Sequence, residues 1–278
     1  MSPKELLFLD SHAAGRILSA YDNGSSEVEV SLDLGVTTRR IRLANQPWKR
    51  DQLKKISQDE ESVYFVNDEG IFKAALSGKH FYKLMPVARS QAPALLIDGI
   101  LMHRVKETTP MEDASMKAEL CARKGIDMLE ICTGLGYASI ACLQKGVRSI
   151  VTIEKDENVL ELASLNPWSR RLFTDDRITV INADASLEIE KIDEESFHAV
   201  MHDPPRFSLA PELYTKEFYS HLYRVLRHKG KLLHYVGSPG SRHRKIDLQK
   251  GIMKRLRDAG FNTVTRKEEV LGVLAFKS

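Results

Sequence analysis

The order of polar and apolar positions changes character about one third of the way along the chain. Up to residue 105, short stretches alternate polar and apolar positions, as half-buried strands do. Pairs of these stretches flank turn residues and predict three hairpins: 27–34 with 37–43, 63–66 with 71–76, and 95–97 with 100–105. One helix-like stretch, 47–56, lies between the first two hairpins. Residues 1–107 are therefore predicted to form a small β-rich N-terminal domain.

A helical period begins near residue 108. Residues 109–112, TPME, form a capping box with proline at the first helical position, which predicts a helix to about residue 123. Strand-like and helix-like stretches then alternate: strands at 128–131, 149–153, 178–182, 199–202 and 231–236, helices at 136–145, 157–165, 212–227 and 242–259, and a closing antiparallel pair at 262–265 and 270–276. This order predicts an α/β domain over residues 108–278, with a doubly wound, mostly parallel, seven-stranded Rossmann-like sheet.

The stretch 127–136, DMLEICTGLG, joins the first of these strands to the first helix. Gly134 and Gly136 permit a sharp turn and a close approach of the backbone to a ligand, and the following helix offers free N–H groups at its N-terminus. An ordinary strand-to-helix loop explains a lone G-x-G equally well. Polar residues at the ends of the next strands favour a ligand site, because ligands bind beyond the carboxyl ends of strands in a doubly wound sheet.

Acidic residues accompany the first three predicted strands. Glu154 ends the second strand, at roughly the 20-residue spacing at which an acid accepts hydrogen bonds from ribose hydroxyls; a helix cap or a solvated side chain is the alternative. Asp184 lies between Ala183 and Ala185, where it could accept from an adenine amino group or, equally, cap the next helix. Glu130, inside the first strand, is expected to face a loop or a ligand, because a buried unpaired carboxylate is costly.

The fourth predicted strand runs into the sequence Asp203-Pro204-Pro205-Arg206-Phe207. The Asp203 side chain and the Pro204 carbonyl can both accept hydrogens from an amino group, because a prolyl peptide leaves carbonyls without a competing local donor. Such acceptance would aim the nitrogen lone pair at an electrophile, and the carboxylate could take the departing proton. A rigid loop after a strand is the alternative interpretation.

Together these positions resemble the class I S-adenosylmethionine-dependent methyltransferases, whose first motif is an acidic residue followed by a glycine-rich turn. The resemblance covers roughly residues 108–278 and implies S-adenosylmethionine as the cofactor, with Glu154 on the ribose and Asp184 near the adenine. Cys132 stands where the family usually has its first glycine, which bears on the tightness of the turn. The implied cofactor contacts are Glu130, Cys132, Thr133, Gly134, Gly136, Tyr137, Glu154, Lys155, Asp184, Ala185 and Asp203.

Residues 203–207 resemble the [D/N/S]-P-P-[Y/F/W] motif of methyltransferases that modify exocyclic or planar nitrogens, usually of nucleobases. Arg206 occupies the aromatic position of that motif and Phe207 follows it, so a guanidinium plane or a phenyl ring could stack a base. The implied catalytic residues are Asp203, Pro204, Pro205, Arg206 and Phe207.

The order of segments from YKLMP at residues 82–86 to MHDPPRFSLAPELYTKEFY at 201–219 looks like an archaeal family of predicted RNA methyltransferases, associated with N4-methylated cytidine in ribosomal RNA. This resemblance implies ribosomal RNA as the substrate and assigns the N-terminal domain to substrate recruitment. Two other functions stay open. The chain could bind RNA without catalysis, or it could resemble the polyamine synthases, to which residues 214–230 are similar.

Single residues within these motifs argue against two related functions, aminopropyl transfer and the binding of a nicotinamide dinucleotide. Polyamine synthases transfer an aminopropyl group and need acids around a cationic amine, whereas here Arg206 stands beside Asp203. A nicotinamide dinucleotide site requires a third glycine where the helix packs on the strand, and Ser139 occupies that place.

The amino-acid composition limits the cellular location that we expect and the kinds of site that the protein could contain. The chain has 278 residues, of which 42% are apolar and 28% charged, as in globular proteins, and no apolar stretch approaches the ~18 residues of a membrane span, so we expect a cytoplasmic protein without a membrane partner. Three cysteines without a C-x-x-C pair argue against disulfides and zinc, and no metal is expected. No pattern in the sequence indicates an oligomeric state.

Basic residues offer a possible contact to RNA. The net charge of +3 allows an anionic partner without requiring one. Phosphates could bind the clusters Arg39-Arg40-Arg42, Lys49-Arg50, Lys54-Lys55 and Arg242-His243-Arg244-Lys245, and Phe81 or Tyr82 could stack bases. For each single cluster a solvated protein face is the simpler explanation.

Overall fold

The computed structural model describes residues 6–87, 91–237 and 248–278. The chain divides into two compact units, Met1–Met111 with Glu161–Arg170 and Glu112–Leu160 with Arg171–Ser278. The domain boundary predicted between residues 107 and 108 lies four residues before the end of the first unit's main segment at Met111. The sequence did not predict that Glu161–Arg170 belong to the first unit. Among the described helices, none has the length and apolarity needed to cross a membrane.

The first unit contains antiparallel strands and helices. In chain order these are β1 (Leu7–Leu9), α1 (Ser11–Asp22), β2 (Glu27–Val30), β3 (Arg39–Arg42), α2 (Arg50–Ser57), β4 (Tyr64–Asn67), β5 (Gly70–Lys73), β6 (Ala75–Ser77), β7 (Phe81–Met85), β8 (Ala94–Ile97) and β9 (Ile100–Leu101). The strands form three sheets, β1-β4-β5, β2-β3 and β6-β7-β8-β9. The three predicted hairpins are confirmed as the antiparallel pairs β2-β3, β4-β5 and β8-β9.

Helix α1 was missed by the sequence pattern. The Asp10 carboxylate caps it by accepting a hydrogen bond of 2.7 Å from the backbone N–H of Ala13. Its buried face consists of Ile17 and small alanines, so the apolar period along the helix is weak. The described part of the first unit thus contains one helix more than the sequence predicted, among a larger number of strands.

The proposed RNA-contacting residues of the first unit are only partly accessible. Tyr82 is 1% exposed and cannot stack a base, whereas Phe81 beside it is 45% exposed. Several of the arginines face acids: the pairs are Arg40 with Glu29, Arg42 with Glu27, and Arg50 with Asp22. The basic run at residues 242–245 lies outside the described residues.

The rest of the chain alternates helices and strands. The elements are α3 (Pro110–Cys121), β10 (Asp127–Ile131), α4 (Tyr137–Gln144), β11 (Ser149–Glu154), α5 (Glu157–Leu165), α6 (Arg170–Thr174), β12 (Ile178–Asn182), α7 (Ala185–Lys191), β13 (Phe197–His202), α8 (Lys216–Val225), β14 (Leu226–Tyr235), α9 (Leu248–Asp258), β15 (Thr263–Lys267) and β16 (Gly272–Phe276). One sheet takes the order β12-β11-β10-β13-β14-β16-β15, with β10 to β14 parallel and the last two strands antiparallel. The mainly parallel α/β arrangement is confirmed.

Two predicted helices differ from the observed ones. The stretch 212–227 is divided, because a 3-10 turn at Pro211–Tyr214 ends at Thr215, whose hydroxyl then caps α8 by accepting from the Phe218 N–H at 3.1 Å. The end of that stretch belongs to β14. The helix predicted at 242–259 is observed from Leu248, and residues 242–247 lie outside the described part.

Glu130 faces the core, so the expectation that it faces a loop or a ligand was wrong. Its side chain lies in β10 and is buried. The hydroxyls of Ser139 and Thr152 both donate to Oε2, the latter at 2.7 Å. These donors, which α4 and β11 supply, offset the cost of burial. Removal from water raises the pKa of the Glu130 carboxyl to about 7.

The Glu130 carboxyl predicts a pH-dependent stability. Its pKa rises on folding from an ordinary 4.5 to about 7, so the folded protein retains a proton that the unfolded chain loses. The free energy of unfolding should therefore fall as the pH rises through this interval, by at most roughly 3 kcal/mol. Glu130→Gln keeps an oxygen for both hydroxyls and has no proton to lose, and urea titrations should show a shallower fall. Glu217→Gln, on an exposed turn of α8, should retain the wild-type slope. Equal slopes for wild type and Glu130→Gln would contradict this assignment.

Residues 132–136, named here the glycine loop, turn the chain from β10 into α4. Gly134 and Gly136 have φ values of +54° and +75°, and Cys132 has +70°. Cys132 thus adopts a conformation that glycine favours, at a cost of roughly 1 kcal/mol, and the turn stays tight without the first glycine. A Cβ on Gly136 would lie 2.6 Å from the tip of Leu172, whereas a Cβ on Gly134 would meet no atom within 4 Å among the described residues beyond its two chain neighbours.

The contact with Leu172 predicts a large effect at Gly136. Gly136→Ala should lower the free energy of unfolding by roughly 2–4 kcal/mol, because the backbone is left-handed and the new methyl group overlaps a buried side chain. Gly125→Ala is the matched control, since its φ is +80° but no atom lies near its Cβ position. It should cost only roughly 1 kcal/mol. Equal losses in urea unfolding would exclude the Leu172 overlap as the cause.

Candidate active site

The strand order of the large sheet reverses between β10 and β13, which lie side by side. The glycine loop follows β10, and residues 203–207, named here the DPP loop, follow β13. The backbone N–H of Asp203 donates to the Ile131 carbonyl at 3.1 Å, which joins the starting points of the two loops. This is the position at which a doubly wound sheet binds its ligands.

Glu154 closes one side of the glycine loop. Its Oε2 accepts from the Gly134 N–H at 2.9 Å, and its Oε1 accepts from the Asp156 N–H at 3.1 Å. Burial raises the pKa of this carboxyl, although the backbone donors counteract that rise. The structure therefore brings together Glu154 and Gly134, two of the predicted cofactor contacts. Each carboxylate oxygen has a second lone pair for a further donor.

Two other predicted contacts in this region are turned inward. The Thr133 hydroxyl shares a hydrogen bond of 2.6 Å with the Thr152 hydroxyl, so only its backbone faces the loop: its carbonyl accepts from the Gly136 N–H at 2.8 Å. Tyr137, the first residue of α4, is buried.

Asp184 caps helix α7. Its Oδ1 accepts from the Ser186 N–H at 3.0 Å, and its Oδ2 pairs with the Lys155 ammonium at 2.7 Å. Burial opposes the ionised form, but the hydrogen bonds from Lys155 and Ser186 outweigh it and lower the pKa of Asp184. Ala185 packs in the core. Of the two interpretations left open for Asp184, the helix cap is observed.

The Asp203 carboxylate is held from one side. Its Oδ2 accepts a hydrogen bond of 2.6 Å from the Lys117 ammonium, and a quarter of its side chain (25%) remains exposed. Within the described ranges, no donor bonds Asp203 Oδ1 or the Pro204 carbonyl. The DPP loop thus has two hydrogen-bond acceptors that receive no donor from the described residues, Asp203 Oδ1 on a partly exposed side chain and the carbonyl of the buried Pro204.

Lys117 was missed by sequence reasoning. It lies on the buried face of α3, where its ammonium also contacts Asp113 Oδ2 at 2.8 Å. Burial alone would lower the pKa of Lys117, but the charges of Asp203 and Asp113 outweigh it and raise that pKa. The available signal was an Asp and a Lys four residues apart on one face of the predicted helix, a spacing that is far more common on solvated faces.

The remainder of the DPP loop is anchored by Tyr214. The Tyr214 hydroxyl donates to the Pro205 carbonyl at 2.6 Å, and the Phe207 ring lies edge-on to the Tyr214 ring with centroids 5.5 Å apart. Burial raises the pKa of Tyr214, which keeps the hydroxyl a donor. Arg206 and Phe207 are exposed, so both predicted stacking residues are accessible.

Comparison with known proteins agrees with this geometry. A family model described as S-adenosyl-L-methionine-dependent methyltransferase matches residues 163–271. The uncharacterized protein MJ1233 of Methanocaldococcus jannaschii is 43% identical over 282 aligned residues, which cover 97% of this chain and 95% of that protein. The polyamine aminopropyltransferase of Saccharolobus solfataricus is 33% identical over 100 residues, covering 34% of this chain and 33% of that enzyme.

A solved structure shows the same fold. The crystal structure of a spermidine synthase in complex with the transition-state analogue AdoDATO superposes with a TM-score of 0.59 at 18% identity, over 73% of each chain. The chain therefore belongs to the family of the M. jannaschii protein MJ1233, with the α/β fold shared by S-adenosylmethionine-dependent methyltransferases and spermidine synthases, and with S-adenosylmethionine as its cofactor.

Proposed function

We propose that this protein methylates an exocyclic amino nitrogen of a nucleobase in RNA, with cytidine N4 of ribosomal RNA as the first candidate. The observation that carries the proposal is the DPP loop. Asp203 Oδ1 and the Pro204 carbonyl lie beside the glycine loop, and the described residues place no hydrogen-bond donor on either.

The residues of the glycine loop fit S-adenosylmethionine. The open side of Gly134 admits a ligand against the backbone, and the Glu154 carboxylate can accept from ribose hydroxyls while it retains its bond to the Gly134 N–H. When bound, this cofactor supplies an electrophilic methyl group attached to a sulfonium. Lys155 and Asp184 would border the adenine end of the same site.

The DPP loop fits an uncharged amino group. An amino nitrogen conjugated to an aromatic ring has two hydrogens, and the two acceptors of the loop can each take one. Accepting both hydrogens turns the lone pair out of conjugation, and Asp203 Oδ1 can receive the proton that the nitrogen loses. Phe207 and Arg206 are exposed at the end of the loop, where either could stack the base.

Aminopropyl transfer to a diamine is the second candidate, since a polyamine aminopropyltransferase is similar over a third of the chain. A diamine carries positive charge and needs carboxylates free to receive it. In this site the Lys117 ammonium already binds both Asp113 and Asp203. The ammonium offsets part of the negative charge of these carboxylates, so they attract a second cation less strongly than free carboxylates would. The charge arrangement therefore favours methyl transfer.

The experiment that tests the proposal uses RNA from a strain that lacks this protein. Nucleoside mass spectrometry should show the loss of one methylated nucleoside, and purified protein with S-adenosylmethionine should restore it. In parallel, the protein is assayed with decarboxylated S-adenosylmethionine and putrescine. If spermidine forms and the nucleoside profile is unchanged, the proposed function is wrong and the protein is an aminopropyltransferase. Absence of calorimetric heat with S-adenosylmethionine would favour a binding protein.

Asp203 provides the first test of the site. Asp203→Asn keeps the shape of the side chain but places an amide where the carboxylate accepts hydrogen, so kcat for methyl transfer should fall by about 100-fold or more. The dissociation constant of S-adenosylmethionine, measured by calorimetry, should change by less than about threefold. Asp193→Asn, on an exposed residue before β13, should match the wild type in both assays. If Asp203→Asn transfers methyl groups at the wild-type rate, Asp203 is not the hydrogen acceptor of the reaction.

Glu154 provides the second test. Glu154→Gln should weaken S-adenosylmethionine binding by about 10- to 100-fold, because a charged acceptor for ribose hydroxyls becomes a neutral one. Glu157→Gln, an exposed position at the start of α5, is the control and should bind as the wild type does. Calorimetric titration measures both. An unchanged affinity in Glu154→Gln would place the ribose elsewhere.

A further inference from the structure

Lys117 forms a buried contact between helix α3 and the DPP loop. It is 6% exposed, its Nζ lies 2.6 Å from Asp203 Oδ2 and 2.8 Å from Asp113 Oδ2, and it stands 4.4 Å from the centroid of the Tyr235 ring. The three N–H groups of the ammonium can therefore be directed at two carboxylates and an aromatic face. Such a fully engaged ammonium has a fixed direction.

The arrangement follows from the helix and the sheet. Asp113 and Lys117 are one turn apart on the buried face of α3, so Asp113 holds the ammonium from its own helix. Asp203 follows β13, and Tyr235 is the last residue of the neighbouring parallel strand β14. Lys117 therefore connects a rigid helix to the first residue of the DPP loop.

This contact determines how Asp203 is oriented. The terminal torsion angle of an aspartate side chain varies over a broad range at little energetic cost. A carboxylate that is bonded only to solvent can therefore rotate. With Oδ2 fixed by Lys117, the plane of the carboxylate is set, and Oδ1 is left for an incoming hydrogen. A displacement of about 1 Å in such a group is enough to lower the rate of a reaction strongly.

We propose that Lys117, held by Asp113, is a positioning residue that fixes the Asp203 carboxylate for the acceptor amine. This inference rests on the proposed methyl transfer. The competing explanation is structural: a buried ion pair that merely attaches α3 to the sheet. Because a buried ion pair can often be replaced by apolar groups of similar volume without loss of stability, the two explanations can be separated.

The principal variant is the double substitution Asp113→Asn with Lys117→Met. It removes the charges of Asp113 and Lys117, keeps the volume of both side chains and leaves residue 203 an aspartate. We expect urea unfolding and S-adenosylmethionine affinity close to those of the wild type, with kcat for methylation of RNA from the deletion strain reduced by roughly 100-fold. Lys145→Ala, which removes another ion-paired lysine from an exposed site, should match the wild type.

Chemical rescue supplies a readout that a structural role would not change. Lys117→Ala leaves a space that ethylammonium can enter, and added ethylammonium should restore kcat by about tenfold or more with a saturable dependence on its concentration. Tetramethylammonium, which has the charge but no N–H donor, should not restore it. If the double variant does not fold, rescue of Lys117→Ala decides the question alone.

The outcomes separate the inference from the function on which it rests. Wild-type kcat in the folded double variant, or a folded Lys117→Ala that is slow and does not respond to ethylammonium, overturns the role of Lys117 while wild-type methylation stands. If the wild type and Lys145→Ala both fail to methylate this RNA, the proposed function fails, and the inference fails with it.

Discussion

The pairing of β10 with β13 is the constraint on which the candidate site depends. Strand order reverses between these two strands, and the Asp203 N–H bonds the Ile131 carbonyl where both end. Two segments separated by about 70 residues in sequence are thereby placed side by side, one able to receive a cofactor and the other to present acceptors. Neither loop alone has a specific chemistry. Their adjacency, which the hydrogen bonding of the sheet imposes, brings two common sequence patterns together in one candidate site.

The same two strands carry carboxyl groups in opposite surroundings. Glu130 is enclosed in β10 with neutral hydroxyl donors, so burial dominates and its pKa rises to about 7. Asp203 lies at the end of β13, with a quarter of its side chain exposed and a lysine ammonium on one oxygen. Hydroxyl groups donate hydrogen bonds to a carboxyl without supplying charge, whereas an ammonium places a positive charge beside one oxygen. The two acids thus differ in position as well: Glu130 is enclosed within β10, whereas Asp203 follows β13 and keeps one carboxylate oxygen for a hydrogen-bond donor.

Much of the large sheet could be predicted because its strands are apolar stretches bounded by turn residues, and such stretches need no knowledge of distant neighbours. Glu154 and the DPP loop were located for the same reason, since each stands where a predicted strand ends. Prediction failed where the decisive partner belongs to another element. The burial of Glu130 depends on hydroxyls from α4 and β11, and the position of the Lys117 ammonium depends on its contact with Asp203 in the DPP loop. Helix α1 was missed because alanines give its buried face little contrast.

Gly134 and Gly136, the two glycines of the glycine loop, have different surroundings. Leu172 fills the space beside Gly136, while the part of the chain that the structure describes places no atom within 4 Å of a Cβ at Gly134, apart from its two chain neighbours. A side chain at 136 would thus be strained by the left-handed backbone and blocked by the interior of the protein, whereas one at 134 would be strained by the backbone alone. A relative that loses its ligand through evolution should therefore accept residues that tolerate a left-handed backbone, such as asparagine, at 134 before it accepts them at 136.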